Sequence, residues 1–467
     1  MSDERLAGTA AFTLAELLAA THGDLVRLGA ALETCGITTD SRRLQPGEVF
    51  VAVRGERHDG HAFVGEAATA GAAAVVVEAG ATVDAAACTT IAVRDGLEAL
   101  GDLAAFHRRR LDARVLAVAG SNGKTTTKEM LSGIAAASVG AERVVHTRGS
   151  ENNLVGLPLT VLRIGDEHAI AVLELGMNTP GEVWRLAEIS APDVGVVTTI
   201  AAEHLEGVGS LRGAAECEGE LYRRLRPSAT AVVNRDEPLL EPSLAGFSGR
   251  CVTFGPGGDV DADAIDDRGI EGTHFRLHVA GMQVAVRLRV AGRHNVTNAL
   301  AAAATAHAAG IDLAAITRGL EAARAPSMRM EVRRLASGAI VLNDCYNANP
   351  ASMAAALQTL SATSARRRFA VLGEMRELGA ASDDAHRALG ERAAAAGLTA
   401  LWVVDAPLVA EAARGAGMAP ETVVATDARA EVAAALAATL CAGDLLLIKG
   451  SRGARLEDVL AALEERD

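Results

Sequence analysis

The chain has 467 residues, with 59 Asp and Glu against 45 Lys and Arg, a formal charge of −14, and 49% hydrophobic against 22% charged residues. That length exceeds one ordinary core and points to two to four domains, and the balance excludes a disordered chain. The acidic excess excludes a general nucleic-acid or membrane-surface binder, so anionic ligands must be met by local groups and metal ions. Aromatics are only 3%, which leaves Ala, Val and Leu to build the cores. Cys35, Cys88, Cys217, Cys251, Cys345 and Cys441 form no Cys-x-x-Cys pair and read as reduced packing residues. Met1 to Arg5 is acidic and unlike a signal peptide, and no apolar run approaches a membrane span, so the cytoplasm is the expected compartment.

Phe12 to His22 reads as a short amphipathic helix. Asp40, Ser41 and Arg42 then bring an acceptor, a hydroxyl and a guanidinium to the edge of a strand-rich lobe around Val49 to Val53. Arg57 to Phe63, a helix and the buried strand Ala73 to Val77 complete a small α/β domain over residues 1–110. On the residues alone these polar clusters read first as turn chemistry.

Val115 to Ala119 has the length and character of a buried parallel strand, and Lys128 to Ala137 is rich in helix formers. Between them lies Gly120-Ser121-Asn122-Gly123-Lys124-Thr125-Thr126. A glycine loop between strand and helix aims backbone N–H groups and the positive helix end at one spot, which suits the triphosphate of ATP. Lys124 would reach the outer phosphates, and the Thr125 hydroxyl would ligate the accompanying Mg²⁺. Only Ser121 and Asn122 separate Gly120 from Gly123, so this is a shortened form of the usual phosphate loop.

Asn152 and Asn153 either cap the helix that follows or hold a ligand. Ile170 to Leu173 is an apolar strand ending in Glu174, where a carboxylate faces the crevice of a parallel sheet. Glu174 is therefore the Mg²⁺-ligand candidate, with a helix cap or salt bridge as the alternative. Val194 to Ile200 is another buried strand, followed by Glu203 and His204. Thr230 to Asp236 gives a further strand and turn; His274 to Val279 and Val284 to Val290 alternate like an antiparallel pair turning at Gly281. Asn295 and Asn298, three apart at a helix start, share a face suited to a nucleotide base or to capping.

After Pro326, strands at Ile340–Asn343, Phe369–Leu372, Leu401–Val404, Val423–Val424 and Leu445–Ile448 alternate with helices, the last beginning at Ala454. This predicts a Rossmann-like domain over 326–467, without a GxGxxG fingerprint, behind a central phosphate-loop ATPase domain with a mostly parallel sheet over 111–325. Its polar loops, Asp344 to Pro350, Gly373 to Met375 and Lys449 to Arg452, follow strands and so share one sheet edge.

Taken together, these motifs resemble the Mur ligase family over nearly the whole chain. The residues that carry the resemblance are Asp40-Ser41-Arg42, Asp59-Gly60-His61, the phosphate loop, Asn152-Asn153, Glu174-Leu175-Gly176, His204-Leu205-Glu206-Gly207 and Gly292-Arg293-His294-Asn295. Tyr346-Asn347-Ala348-Asn349-Pro350 is similar to the branch that adds D-alanyl-D-alanine. The resemblance implies an ATP-dependent, Mg²⁺-requiring amide ligase that joins D-alanyl-D-alanine to UDP-N-acetylmuramoyl-tripeptide through an acyl phosphate. It implies Thr125 and Glu174 on one Mg²⁺, His204 on a second, Asn295 and Asn298 at adenine, and Arg329 and Asp344 at the nucleotide. It further implies Ser41 and Arg42 at the uridine diphosphate, Asn152, Asn153, Asn347 and Asn349 at the substrates, a monomer, and closure of the domains on binding.

One position departs from the family. Its members carry a lysine, carbamylated by CO₂, shortly after the His-Leu-Glu-Gly motif, whereas this chain reads Ala215-Glu216-Cys217-Glu218 with no lysine. Glu218 falls at that position, and its carboxylate would replace the carbamate's charge beside the second ion, through a bridging water. The missing lysine also raises a different reading, a nucleotide-binding regulatory module without catalysis; within the family the rival is a ligase for another amine.

Overall fold

Alternating strands and helices place the strands of the described residues in three sheets. The computed structural model describes residues 10–29, 34–55, 58–85 and 88–466; the run Met1 to Arg5 and Arg57 lie outside them.

The first sheet runs in the order Asp24–Arg27, Thr89–Val93, Ala74–Glu78, Val49–Val51, Ile37–Thr38, parallel except for its first strand. Helix Leu14–Thr21 begins at a Thr13–Glu16 capping box, one residue inside the predicted helix. Helix Gly96–Arg108 leaves this sheet and docks on the next: Arg108 Nε donates to Ser190 O (3.0 Å) and its guanidinium pairs with Asp193 (3.0 Å).

The central sheet has nine strands, in the order Met282–Leu288, Thr273–Val279, Val260–Asp267, Arg250–Phe254, Thr230–Asn234, Val194–Val197, Arg114–Ala119, Ile170–Glu174, Val144–His146. All neighbours from Val260–Asp267 onward are parallel, and the antiparallel pair turns through Ala280 and Gly281, both at positive φ. The chain lays Arg114–Ala119 first, adds the next two strands on one side, then continues on the other. The loop after Ala119 therefore sits where strand order reverses, the position at which open parallel sheets bind ligands. Val115 to Ala119 and Ile170 to Glu174 are buried throughout, because helices cover both faces.

The third sheet runs Glu331–Arg334, Ile340–Asn343, Asp444–Lys449, Arg367–Gly373, Ala400–Val404, Val423–Thr426, parallel but for its charged first strand. The last helix spans Glu457–Glu464 rather than starting at Ala454. Arg452–Ala454 forms a separate single turn, and Arg455 at φ 48° breaks the path between them.

One close packing contact positions the phosphate-loop helix, Lys124–Val139. Helix Leu313–Ala322 lies against it so tightly that a Cβ on Gly319 would sit 2.4 Å from Ile134 Cα. Gly319→Ala is expected to force the helices apart and cost about 1–3 kcal/mol in urea unfolding; an unchanged midpoint would show that the pair relaxes freely.

Candidate active site

The loop after Ala119 is shaped by two glycines. Gly120 has φ 122° and Gly123 φ 82°, values that disfavour any side chain. A Cβ would also collide, 2.3 Å from Thr198 Oγ1 at Gly120 and 2.1 Å from Asn298 Oδ1 at Gly123. The helix begins directly at Lys124, earlier than Lys128, so Lys124, Thr125 and Thr126 form its first turn beside the loop's N–H groups. Lys124 Nζ donates to the Gly120 and Ser121 carbonyls and lies 4.0 Å from Glu218 Oε1. Burial alone would lower the pKa of this ammonium; Glu203, Glu218 and Glu174 outweigh it and raise the pKa above the ordinary lysine value.

A cleft of about 1100 Å³ opens over this loop. Thr125 Oγ1 donates to Glu174 Oε1 (3.0 Å), and Asn152 Nδ2 donates to the same oxygen (2.9 Å). Glu174 Oε2 and Glu203 Oε2 are buried with no hydrogen-bond partner. Bare carboxylate oxygens beside a hydroxyl and an anion-binding loop suit a hard divalent cation, so the donor set fits Mg²⁺. Among the described residues no group of three or more His, Cys, Asp or Glu side chains could hold a metal by itself.

Loops from the third sheet form the opposite wall. Asn349 exchanges amide hydrogen bonds with Asn122 (Asn349 Nδ2 to Asn122 Oδ1 2.8 Å, and 3.3 Å in return) while capping helix Pro350–Ala362. Asn347 Nδ2 donates to Glu203 Oε1 (2.7 Å), and the His204 ring, held by a backbone at φ 54°, meets Glu377. Arg329 stacks 4.0 Å from the Tyr346 ring centroid, and Asp344 pairs with Lys449 at 2.7 Å. Asn298 Nδ2 donates to Asn295 Oδ1 (2.8 Å) at the cleft end nearest His294, whose pKa burial lowers. Groups after the second and third sheets thus touch across the cleft, at Asn122–Asn349 and Glu203–Asn347, in place of the open form expected without ligand.

Several expected site residues lie elsewhere. Ser41 and Arg42 do not line this cleft: Ser41 Oγ donates to Glu66 Oε2 (3.3 Å) and Arg42 clasps Asp40 on the first sheet's surface. Asn153 caps, its Oδ1 accepting from the Val155 and Gly156 N–H groups, and it does not line this cleft. Glu218 is not turned toward the cleft beside His204. It is buried beneath the loop, with Oε2 accepting from Gly120 N–H (2.7 Å), because helix Leu211–Glu218 ends there; burial raises its pKa, with Lys124 partly offsetting. Sequence reasoning assigned no role to Glu203, Glu377, His294 or Lys449. Lys449 carried a usable signal, a lone cation ending the apolar run Leu445 to Ile448.

Comparison with known proteins supports the same architecture. Residues 33–108 match the family model for the Mur ligase family catalytic domain, 118–306 the Mur ligase middle domain, and 328–452 the Mur ligase glutamate ligase domain. UDP-N-acetylmuramoyl-tripeptide–D-alanyl-D-alanine ligase of Escherichia coli is 38% identical over 461 residues, covering 97% of this chain and 98% of that one. A crystal structure of MurF from Acinetobacter baumannii superposes with a TM-score of 0.88 at 33% identity, covering 98% of this chain and all of the other (100%). MurF from Thermotoga maritima in complex with ADP gives 0.80 at 29% identity, covering 92% and 97%.

The Asn349–Asn122 exchange separates capping from clasping. Asn349→Ala is expected to destabilise the chain by about 1–2 kcal/mol in thermal unfolding. Asn349→Asp keeps the cap acceptor but loses the donor to Asn122, and should retain most of that stability.

Proposed function

The chain belongs to the Mur ligase family, and on that premise we propose that it joins D-alanyl-D-alanine to UDP-N-acetylmuramoyl-tripeptide, consuming ATP and releasing ADP and phosphate. The observation that carries this reading is the single cleft in which the phosphate loop, two carboxylates with unpartnered oxygens and the Tyr346–Pro350 loop meet. A peptide carboxylate is a poor electrophile because oxide is a poor leaving group. Phosphorylation makes an acyl phosphate; the amine attacks its carbonyl carbon, the C–O bond to phosphate breaks, and an amide remains.

Attack of a carboxylate on a phosphoryl group brings two anions together, so the protein's task is positioning and charge neutralisation. Gly120, Ser121, Asn122, Gly123 and Thr126 frame the phosphates, and Lys124 turns from the loop carbonyls to the outer ones. Thr125 and Glu174 would hold Mg²⁺ and His204 a second ion, with Glu203 beside it; the metal supplies charge compensation at the phosphoryl oxygens. Glu218 stands where the family carries a carbamylated lysine and acts through Lys124 and Gly120. Asn295, Asn298, Arg329 and Asp344 orient the nucleotide, Asn152 the peptide end, Asn347 and Asn349 the amine side, and Ser41 and Arg42 the uridine diphosphate.

The proposed working units are 1–110, 111–325 and 326–467, acting as a cytoplasmic monomer without nucleic acid. No helix among the described residues is long and apolar enough to cross a membrane.

Phosphate release from ATP with Mg²⁺ and UDP-N-acetylmuramoyl-tripeptide, with a panel of amines, tests the reading. Release that requires D-alanyl-D-alanine is expected; dependence on another amine would move the chain to a different step. Binding of ATP without release for any amine would favour the regulatory reading. Lys124→Met should lower kcat by about 100-fold or more in a chain that still folds. Glu218→Gln should lower it by about 10- to 100-fold, as loss of a supporting outer group does; full activity would make Glu218 an ordinary buried acid.

A further inference from the structure

Lys128 is buried completely, at 0% exposure, yet it does not line the cleft and the chemistry above gives it no task. An ammonium withdrawn from water carries a large desolvation cost unless its partners are specific. Its partners are Glu129 and the carbonyl of Thr147, to which Nζ donates at 2.9 Å. Thr147 is itself fully buried, and its hydroxyl oxygen accepts from the backbone N–H of Glu174 (3.0 Å). Its own N–H donates to Val172 O (3.1 Å), extending the ladder one step past the last His146–Val172 pairing.

Glu174 is therefore held twice by the same helix. The first turn reaches its carboxylate through Thr125 Oγ1, and the second reaches its backbone through Lys128 and Thr147. Asn152 closes the arrangement, donating to Glu174 Oε1 while its carbonyl accepts from Gly176 N–H (2.8 Å). The side chain is pinned at one oxygen and the main chain at its nitrogen, which leaves Oε2 as the oxygen without a hydrogen-bond partner.

We propose that Lys128 and Thr147 form a positioning relay that sets the carboxylate of Glu174 for a divalent cation. The relay rests on the reading of Glu174 as a Mg²⁺ ligand. A methionine fills the same space as Lys128, so a purely packing role would tolerate it; a relay would not, because Thr147 O loses its donor.

The test is ADP binding to the full chain by calorimetry, in EDTA and across a Mg²⁺ series, which reads the site without turnover. Lys128→Met and Thr147→Val are each expected to raise the Mg²⁺ concentration giving half-maximal enhancement by about tenfold, with affinity in EDTA little changed. Thr147→Ser, which keeps the acceptor oxygen, should restore the original midpoint. The double variant should resemble the more affected single one, as partners in one chain of contacts do. If Lys128→Met does not fold, the Thr147→Val and Thr147→Ser pair decides. Folded variants with an unshifted Mg²⁺ midpoint would overturn the relay. Glu174→Gln distinguishes the two levels: loss of enhancement there alone sinks only the relay, whereas enhancement that survives it sinks the metal-ligand reading as well.

Discussion

One imbalance of charge governs the cleft. Around the Lys124 ammonium stand three carboxylates, Glu174, Glu203 and Glu218, and each raises that lysine's pKa. With the Arg329 guanidinium that also acts on Lys124, two positive charges face three carboxylates, still a deficit of cations. Where water is scarce such a deficit is costly, and burial has already driven the Glu218 pKa upward in response. A hard divalent cation accompanying a polyphosphate would correct the deficit while the loop's N–H groups and Lys124 take up the phosphate charge. The cleft is thus arranged for a metal–nucleotide pair rather than for either alone.

The fold turns this local chemistry into a site by where it places strand ends. Glu174 ends one strand flanking Arg114–Ala119 and Thr198 follows the other, so the loop between them is surrounded from the start. The third sheet presents its own strand ends from the other side, Asn343 before Asp344 and Lys449 itself. No single unit contains the whole set of groups, which explains why the residues are scattered so widely along the chain.

The central strands and the phosphate loop were legible because a continuous apolar run ending in glycines has few other meanings. Other parts were not. Asp24–Arg27 is exposed at every position, Val260–Asp267 contains four aspartates, and Glu331–Arg334 is charged; each pairs because a neighbouring strand supplies the template, not because its residues favour extension. The side chain of Glu218 could be assigned a position in a motif but not a direction, since whether it faces cleft or loop depends on where its helix ends. Lys128 looked like one helix former among many, and its burial follows only from the way its helix lies on the sheet. Ser41 and Arg42 show the reverse limit: a motif marks residues as notable without saying which cavity they serve.

The mutual amide bonds between Asn122 and Asn349 have a thermodynamic meaning beyond adhesion. They join the loop proposed to cradle phosphate to the helix start proposed to face the amine, so occupancy at one end would bias the other. Such coupling is reciprocal by necessity: if nucleotide strengthens binding at the third-sheet loop by some factor, a compound bound only there strengthens nucleotide binding by the same factor. An inhibitor that wedges Asn349 away from Asn122 would therefore loosen nucleotide it never touches.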